Sequence, residues 1–283
     1  MRRTRVDELN QMCTRLGKHR YTFQDRQKIR FKHIVVDDKN KAMFCYVPKV
    51  ACTHLLRIFL SLSDNINVSN PLHLEGKDVH ILKRKLTYLD TYSNPEIEYR
   101  INHYKNVIFV REPLERVFSA FRSKFVLTHD PRFINYYGRK IKNRSRNVSS
   151  KMSTDKHGVN FTDFVQYLLH WRTIEEGYNE HWDSYCNLCH PCLVKYNFIG
   201  KYESFEKDVA ALLKLLSIEG RVQFQKREEN YMHVPSADMM STYFKMIPQE
   251  LFEDLIQIYT EDYLLFDYEI PSIEQVLKRH MSF

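Results

Sequence analysis

The stretch Ala42-Met-Phe-Cys-Tyr-Val-Pro-Lys-Val-Ala-Cys-Thr53 decides how this chain is read. Its first six residues are apolar or aromatic and read as a strand. Pro48 ends that strand. Leu55, Ile58, Phe59 and Leu62 then recur at helical spacing. A strand that turns directly into a helix leaves the first N–H groups of the helix without intrahelical partners. Those groups and the helix dipole favour an anion. Lys49 adds a point charge, Thr53 adds a hydroxyl donor, and Ala51 is small enough for close backbone approach. Pro48, Lys49, Val50, Ala51, Cys52, Thr53 and His54 therefore form a candidate phosphate loop.

A second strand-to-helix passage lies downstream. Asn106-Val-Ile-Phe-Val110 reads as a buried parallel strand. It leads through Arg111 and Glu112 to Pro113, which suits the first turn of a helix. Leu114, Val117, Phe118, Phe121 and Phe125 follow at helical spacing. Arg111 falls at the carboxyl edge of its strand, where open α/β sheets bind ligands. An arginine there can grip a phosphate with two parallel donors, and Ser119 can supply another.

Around these segments the pattern alternates. His33-Ile-Val-Val36 and Tyr196-Asn-Phe-Ile-Gly-Lys-Tyr202 read as further strands. Helices are expected over 79–89, 95–104, 161–171, 205–216, 236–246 and 248–262. Residues 64–78 and 138–158 read as surface loops. Alternation of this kind indicates an α/β fold with a mainly parallel sheet.

The chain has 283 residues, which suggests one large domain or two small ones, with one expected. Hydrophobic residues make up 43%, enough for a sizeable core, and only seven glycines argue against Gly-rich repeats. Lys and Arg number 43 against 35 Asp and Glu, a formal net charge of +8. Such a balance draws polyanions: nucleic acid, anionic lipid or sulfated sugar. Charge alone does not choose among them. No run of about 18 apolar residues occurs, so no segment reads as a membrane span. The start, Met1-Arg-Arg-Thr-Arg5, lacks the apolar region of a signal peptide. Yet sequons occur at Asn67, Asn143, Asn147 and Asn160. A membrane anchor absent from this chain reconciles the two observations.

The six cysteines are Cys13, Cys45, Cys52, Cys186, Cys189 and Cys192. The last three cluster, which suggests a disulfide or a metal site. Zinc would need a fourth ligand, and His190 is too near in sequence to share a metal with its neighbours. A disulfide involving Cys189 or Cys192, with Cys186 as one possible partner, is the favoured reading.

Taken together, the two phosphate motifs resemble the 5′-phosphosulfate and 3′-phosphate motifs of sulfotransferases. The match is to the Golgi carbohydrate sulfotransferases of the chondroitin and dermatan 4-O group. The chain shares the pattern CYVPKVACT over Cys45–Thr53 and VREPxERxxSAFRxKF over Val110–Phe125. Further agreement appears at Tyr92–Ile97, Asn179–Trp182, Cys189–Cys192 and Gly200–Glu203, so the resemblance spans roughly residues 33–270. It departs at His54-Leu55, where the group has Asn-Trp.

The resemblance implies a sulfotransferase fold, a P-loop-like parallel sheet flanked by helices. It implies one catalytic domain over 31–283, preceded by a basic segment or stem over 1–30. The donor would be 3′-phosphoadenylyl sulfate, with no metal. The acceptor would be an acidic polysaccharide and not nucleic acid. The location would be the Golgi lumen, as a type II membrane protein whose anchor is not in this sequence. Lys49 and the 48–54 loop would hold the 5′-phosphosulfate. Arg111 and Ser119 would hold the 3′-phosphate, within a motif that includes Glu112 and Pro113.

Sulfuryl transfer is an in-line displacement at sulfur, in which the protein mainly positions groups and neutralises charge. Lys49 suits the leaving oxygen. His80 is the candidate general base, expected at a helix start where the dipole disfavours the imidazolium. His181 and Glu180 are the alternatives. Arg139, Lys140, Lys142, Arg144 and Arg146 are candidates for gripping the acceptor. Two other readings compete. A non-catalytic polyanion- or glycan-binding module needs no paired phosphate motifs. A P-loop nucleotide kinase would need GxxxxGK[ST], which is missing.

Overall fold

The computed structural model describes residues 3–18, 29–63, 71–127, 130–145, 158–220 and 236–278. Its sheet begins with a hairpin. β1 (Ile34–Asp37) and β2 (Ala42–Cys45) pair antiparallel, with Ile34 opposite Cys45 and Asp37 opposite Ala42. The four residues between them are too few for a parallel crossover, which needs a dozen or more. β3 (Thr87–Tyr88) adds antiparallel to β1. On the other side, β4 (Lys105–Val110) pairs parallel with β2, and β5 (Phe198–Lys201) pairs parallel with β4. The strand order is β3-β1-β2-β4-β5. The sheet is therefore mixed rather than mainly parallel. Only the β2-β4-β5 half, reached through long connections, is parallel.

The helices follow chain order. α1 (Arg5–Arg15) opens with a capping box between Thr4 and Asp7. α2 (Cys52–Leu62) buries Leu55, Leu56, Ile58, Phe59, Leu60 and Leu62. Phe59 stacks on Phe44 of β2, with centroids 5.1 Å apart. α3 (Gly76–Leu82) is shorter than expected, because Lys83–Lys85 tighten into a 3₁₀ turn before β3. α4 (Asn94–His103) is fixed to the hairpin turn through Asp38. That carboxylate accepts from Tyr92 and Tyr104 hydroxyls at 2.7 Å each and from Arg100 Nε at 2.9 Å. Partial burial pushes the Asp38 pKa up, but its donors outweigh burial and hold it below its ordinary value.

After β4 come α5 (Pro113–Phe121), the turns Arg122–Val126, Pro131–Phe133 and Ile134–Gly138, and α6 (Arg139–Arg144). Residues 139–144 are thus helical, not loop as the sequence suggested; Ile141 is buried and anchors the turn. α7 (Phe161–Leu169), α8 (Trp171–Glu176) and α9 (Tyr185–Cys189) precede β5, and α10 (Phe205–Leu216) follows it. α11 (Ser236–Phe244), α12 (Gln249–Leu265) and α13 (Ile273–Lys278) complete the described chain. No helix among the described residues is long and apolar enough to cross a membrane.

These elements pack into two compact units. The first holds the sheet, the chain up to Arg111, the stretch from Tyr185 through α10, and Leu264–Asp267. Within it, Arg5 of α1 donates to Asp208 of α10 at 2.6 Å and to the Ile199 carbonyl of β5 at 2.9 Å. The second unit runs from Glu112 to Ser184 and takes in most of the C-terminal helices. Its core is aromatic: Phe118, Phe121, Phe125, Phe161, Phe164, Trp182 and Phe244 are buried together. Trp182 is fully buried there as part of that packing.

Two disulfides stitch the first unit, Cys13–Cys192 and Cys45–Cys189. The clustered cysteines are oxidised, but with distant partners; Cys186 stays a thiol, as does Cys52. With both sulfurs bonded to carbon-bound sulfur, Cys189 and Cys192 are not metal ligands. His190 between them is held near 4 by burial, which the hydrogen bond to the Arg30 carbonyl only partly offsets.

Two measurements check this fold. Peptide mapping under non-reducing conditions should recover the pairs 13–192 and 45–189 with Cys52 and Cys186 alkylated; a 186–189 or 189–192 pair would refute the assignment. Gly200 of β5 leaves space for Phe109, whose ring would lie 2.3 Å from an added Cβ. Gly200→Ala should therefore lower stability by about 1–3 kcal/mol by overpacking. An unchanged urea midpoint would show that the Phe109 ring yields freely.

Candidate active site

The first unit carries the candidate phosphate loop. Beyond β2 the chain stays buried through Tyr46, Val47 and Pro48. It then reverses with Lys49 at φ 75° and Ala51 at φ 60°. This is the left-handed region, unfavourable for an L-residue by about 1–2 kcal/mol. Ala51 stands at the N-cap of α2 and makes no side-chain capping bond. A methyl group there does not reach over the first-turn N–H groups, so the mouth of α2 is shaped for an anion. Lys49 is half-exposed while Val50 beside it is buried, so the lysine is the one that faces outward from the turn.

Arg111 meets this loop. It sits one residue beyond β4, whose pairing with β5 ends at Val110 opposite Lys201. Its side chain is only 5% exposed. One guanidinium nitrogen donates to the Lys49 carbonyl at 3.4 Å, and the guanidinium carbon lies 4.2 Å from the Tyr202 ring centroid. Stacking on an aromatic face leaves a guanidinium's N–H edge, not its plane, to meet acceptors. The Arg111 backbone is held as well: its N–H donates to the Tyr185 hydroxyl at 2.7 Å, and that hydroxyl donates to the Arg111 carbonyl at 2.9 Å.

His80 reaches the same loop, with Nε2 3.2 Å from Thr53 Oγ1. Its position on its helix differs from expectation. α3 starts at Gly76, three residues earlier than the spacing suggested, so His80 falls in the last turn. The dipole there favours a cation rather than disfavouring it. The segment before α3 is tied down by Arg57 of α2, which donates to the Leu74 carbonyl at 3.0 Å and 2.6 Å. Arg57 also contacts His54 Nδ1 at 3.4 Å. Burial lowers the Arg57 pKa from its ordinary value. Lys83 Nζ lies 4.0 Å over the Tyr46 ring, which meets the His80 ring edge-on at 6.4 Å.

The remaining candidates belong to the second unit, which the chain enters after Arg111. Glu112 caps α5, accepting from the Glu115 N–H at 2.6 Å, and also accepts from the Tyr263 hydroxyl. Its carboxylate therefore serves the helix start. Pro113 occupies the first turn, as its fixed φ suits. Ser119 lies one turn beyond Glu115 on the half-buried flank of α5, opposite Val117, Phe118 and Phe121 in the core. Asn179 Oδ1 accepts from the His181 backbone N–H at 3.1 Å and binds His181 Nδ1 at 2.6 Å. That partner makes Nδ1 the protonated nitrogen of a neutral ring. Glu180 beside it is half-buried.

The basic run is partly committed. Lys140 and Arg144, four residues apart on α6, both bind Glu176 of α8, and Arg144 also donates to Thr173 Oγ1 at 3.0 Å. Arg139 and Lys142 are exposed. Arg146 lies outside the described residues, as do the sequons at Asn67 and Asn147. Asn160 uses its side-chain oxygen to cap α7, accepting from Asp163 N–H at 2.7 Å.

The structure thus brings together Lys49, Thr53, His80 and Arg111 within the first unit. The sequence reading missed Tyr185, Tyr202 and Tyr46. Tyr202 had a usable signal, since it follows β5 at the carboxyl edge where ligands collect. Tyr185 had none: its partner is 74 residues away.

The sulfotransferase family model matches residues 32–269. Carbohydrate sulfotransferase 11 of Rattus norvegicus is 37% identical over 244 residues, covering 85% of this chain and 68% of that protein. Carbohydrate sulfotransferase 14 of Danio rerio is 33% identical over 257 residues, covering 90% and 67%. Carbohydrate sulfotransferase 12 of Mus musculus is 30% identical over 267 residues, covering 88% and 63%. No solved structure matches. The chain belongs to the sulfotransferase family and is a sulfotransferase.

Proposed function

We propose that this enzyme moves the sulfuryl group of 3′-phosphoadenylyl sulfate to a hydroxyl of an acidic polysaccharide, of the chondroitin or dermatan 4-O type. The observation that carries this reading is the meeting of two anion-binding elements: the uncapped mouth of α2 with Lys49, and the Arg111 guanidinium on the Lys49 carbonyl. A donor with two phosphate-bearing ends needs two such elements. A simple polyanion-binding module does not, and the names of the relatives favour a sugar acceptor.

In this reading the 48–54 loop and Lys49 hold the 5′-phosphosulfate, and Lys49 neutralises the leaving oxygen. Arg111 and Ser119 hold the 3′-phosphate, with Glu112 and Pro113 forming the helix start between them in sequence. His80 takes the acceptor proton; its hydrogen bond to Thr53 at 3.2 Å supports a place beside the reacting sulfur. His181 is the second reading, favoured by the Asn179 contact that leaves Nε2 as its basic nitrogen. Exposed Arg139 and Lys142 are better suited to the acceptor than Lys140 and Arg144, which already serve Glu176. Residues 31–283 act as one catalytic domain in the Golgi lumen.

Sulfate transfer from labelled donor to desulfated chondroitin, dermatan and heparan acceptors tests the assignment. Lys49→Ala and Arg111→Ala should each lower the rate by at least ~10², the scale of removing one preorganised charge, with circular dichroism unchanged. A folded variant with near wild-type activity would remove that residue from the site. His80→Ala should lose roughly 10²–10⁴ in kcat, the span of a general base, and keep its affinity for adenosine 3′,5′-bisphosphate. If His181→Ala is instead the inactive, nucleotide-binding variant, the base is His181.

A further inference from the structure

Arg111 is the residue at which the β4–β5 ladder has run out: the last pair is Val110 opposite Lys201. Backbone groups just past a ladder normally turn to water, and the side chain they carry is correspondingly loose. Here the Tyr185 hydroxyl takes both groups of one residue. It accepts from the Arg111 N–H at 2.7 Å and donates to the Arg111 carbonyl at 2.9 Å. A phenol is suited to this, since its oxygen is donor and acceptor at once. Tyr185 is fully buried, and its ring meets Phe266 edge-on at 5.2 Å, so its hydroxyl has little freedom to wander.

The helix that carries Tyr185 is itself anchored. α9 spans only Tyr185–Cys189, and Cys189 is disulfide-bonded to Cys45, the last residue of β2. β2 feeds the phosphate loop. One short helix is therefore bonded covalently to the strand that presents Lys49 and by a hydroxyl to the residue that presents Arg111.

We infer that Tyr185 is a positioning residue for the donor: it fixes the backbone of Arg111 so that the guanidinium is preorganised for the 3′-phosphate. This rests on the reading of Arg111 as a 3′-phosphate ligand. Tyr185 touches neither donor nor acceptor in this scheme. Its effect falls on the recognition of one phosphate, not on the transfer step.

The test compares two nucleotides by calorimetry: adenosine 3′,5′-bisphosphate, and adenosine 5′-monophosphate, which lacks the 3′-phosphate. Tyr185→Phe removes the hydroxyl and keeps the ring. It should weaken the bisphosphate roughly tenfold, as expected when buried groups lose their partner, and leave the monophosphate nearly unchanged. The KM for donor should rise with kcat within about twofold, because uniform binding is lost. A purely structural role would lower the melting temperature and weaken both nucleotides alike, which would overturn the inference. If the phenylalanine variant does not fold, Tyr185→Met, which also lacks the hydroxyl and adapts its shape to the space left by the ring, carries the same comparison. Arg111→Ala separates the two levels. If it leaves the preference for the bisphosphate intact, the donor-site reading itself fails. If it abolishes the preference while folded Tyr185→Phe keeps it, only the role of Tyr185 fails.

Discussion

A two-residue kink in the backbone underlies the site. Lys49 and Ala51 both adopt left-handed φ without being glycine, and such conformations persist only where the surroundings over-determine them. The surroundings here are dense. Every residue of β2 is buried, its last residue is disulfide-bonded, and Val47 and Val50 flank the kink in the core. α2 then drives Leu55, Leu56, Ile58 and Phe59 beneath the sheet. Burial at roughly 1.5–3 kcal/mol per large apolar side chain readily offsets two unfavourable φ values. Glycine would relieve the kink, but it would give up the Lys49 charge at one position and add chain entropy to lose at both.

Electrostatics follow a similar division of labour. The basic surplus of the chain suggests a broad polyanion surface, yet several of its cations are paired with carboxylates. Arg5 is paired with Asp208, Arg100 with Asp38, and both Lys140 and Arg144 with Glu176. Arg111 is buried against a tyrosine face and a carbonyl. The net charge is therefore a poor guide to where an anion binds.

What was legible in the sequence, and what was not, separates along contact range. The strand-to-helix turn at 45–53 and the passage from Val110 into Pro113 could be read because their signals are local: apolar runs, a proline, a helical stripe. The antiparallel start of the sheet is also local, because the four-residue gap between Asp37 and Ala42 is too short for a parallel crossover. His80 is singled out by its place between motifs, but its end of the helix is not legible because Glu75 and Gly76 carry no strong start signal. The partners of Cys189 and Cys192 and the contact of Tyr185 with Arg111 are set by the sheet order. That order brings together residues separated by 144 and 179 positions in the disulfides, and no spacing rule encodes it. The basic stretch misled because one buried isoleucine, Ile141, is a weak cue for a six-residue helix.

The disulfide connectivity also bears on how the chain is made. Synthesis proceeds from the N-terminus, so Cys13, Cys45 and Cys52 emerge long before Cys189 and Cys192. In the native state none of those first three is bonded to another. Any bond formed early among them is a wrong one and must be undone by thiol–disulfide exchange. β2 and β4 likewise wait for β5, whose arrival completes the parallel half of the sheet. Native pairing therefore requires Cys13 and Cys45 to wait, unpaired with each other, until the segment holding Cys189 and Cys192 has been synthesised.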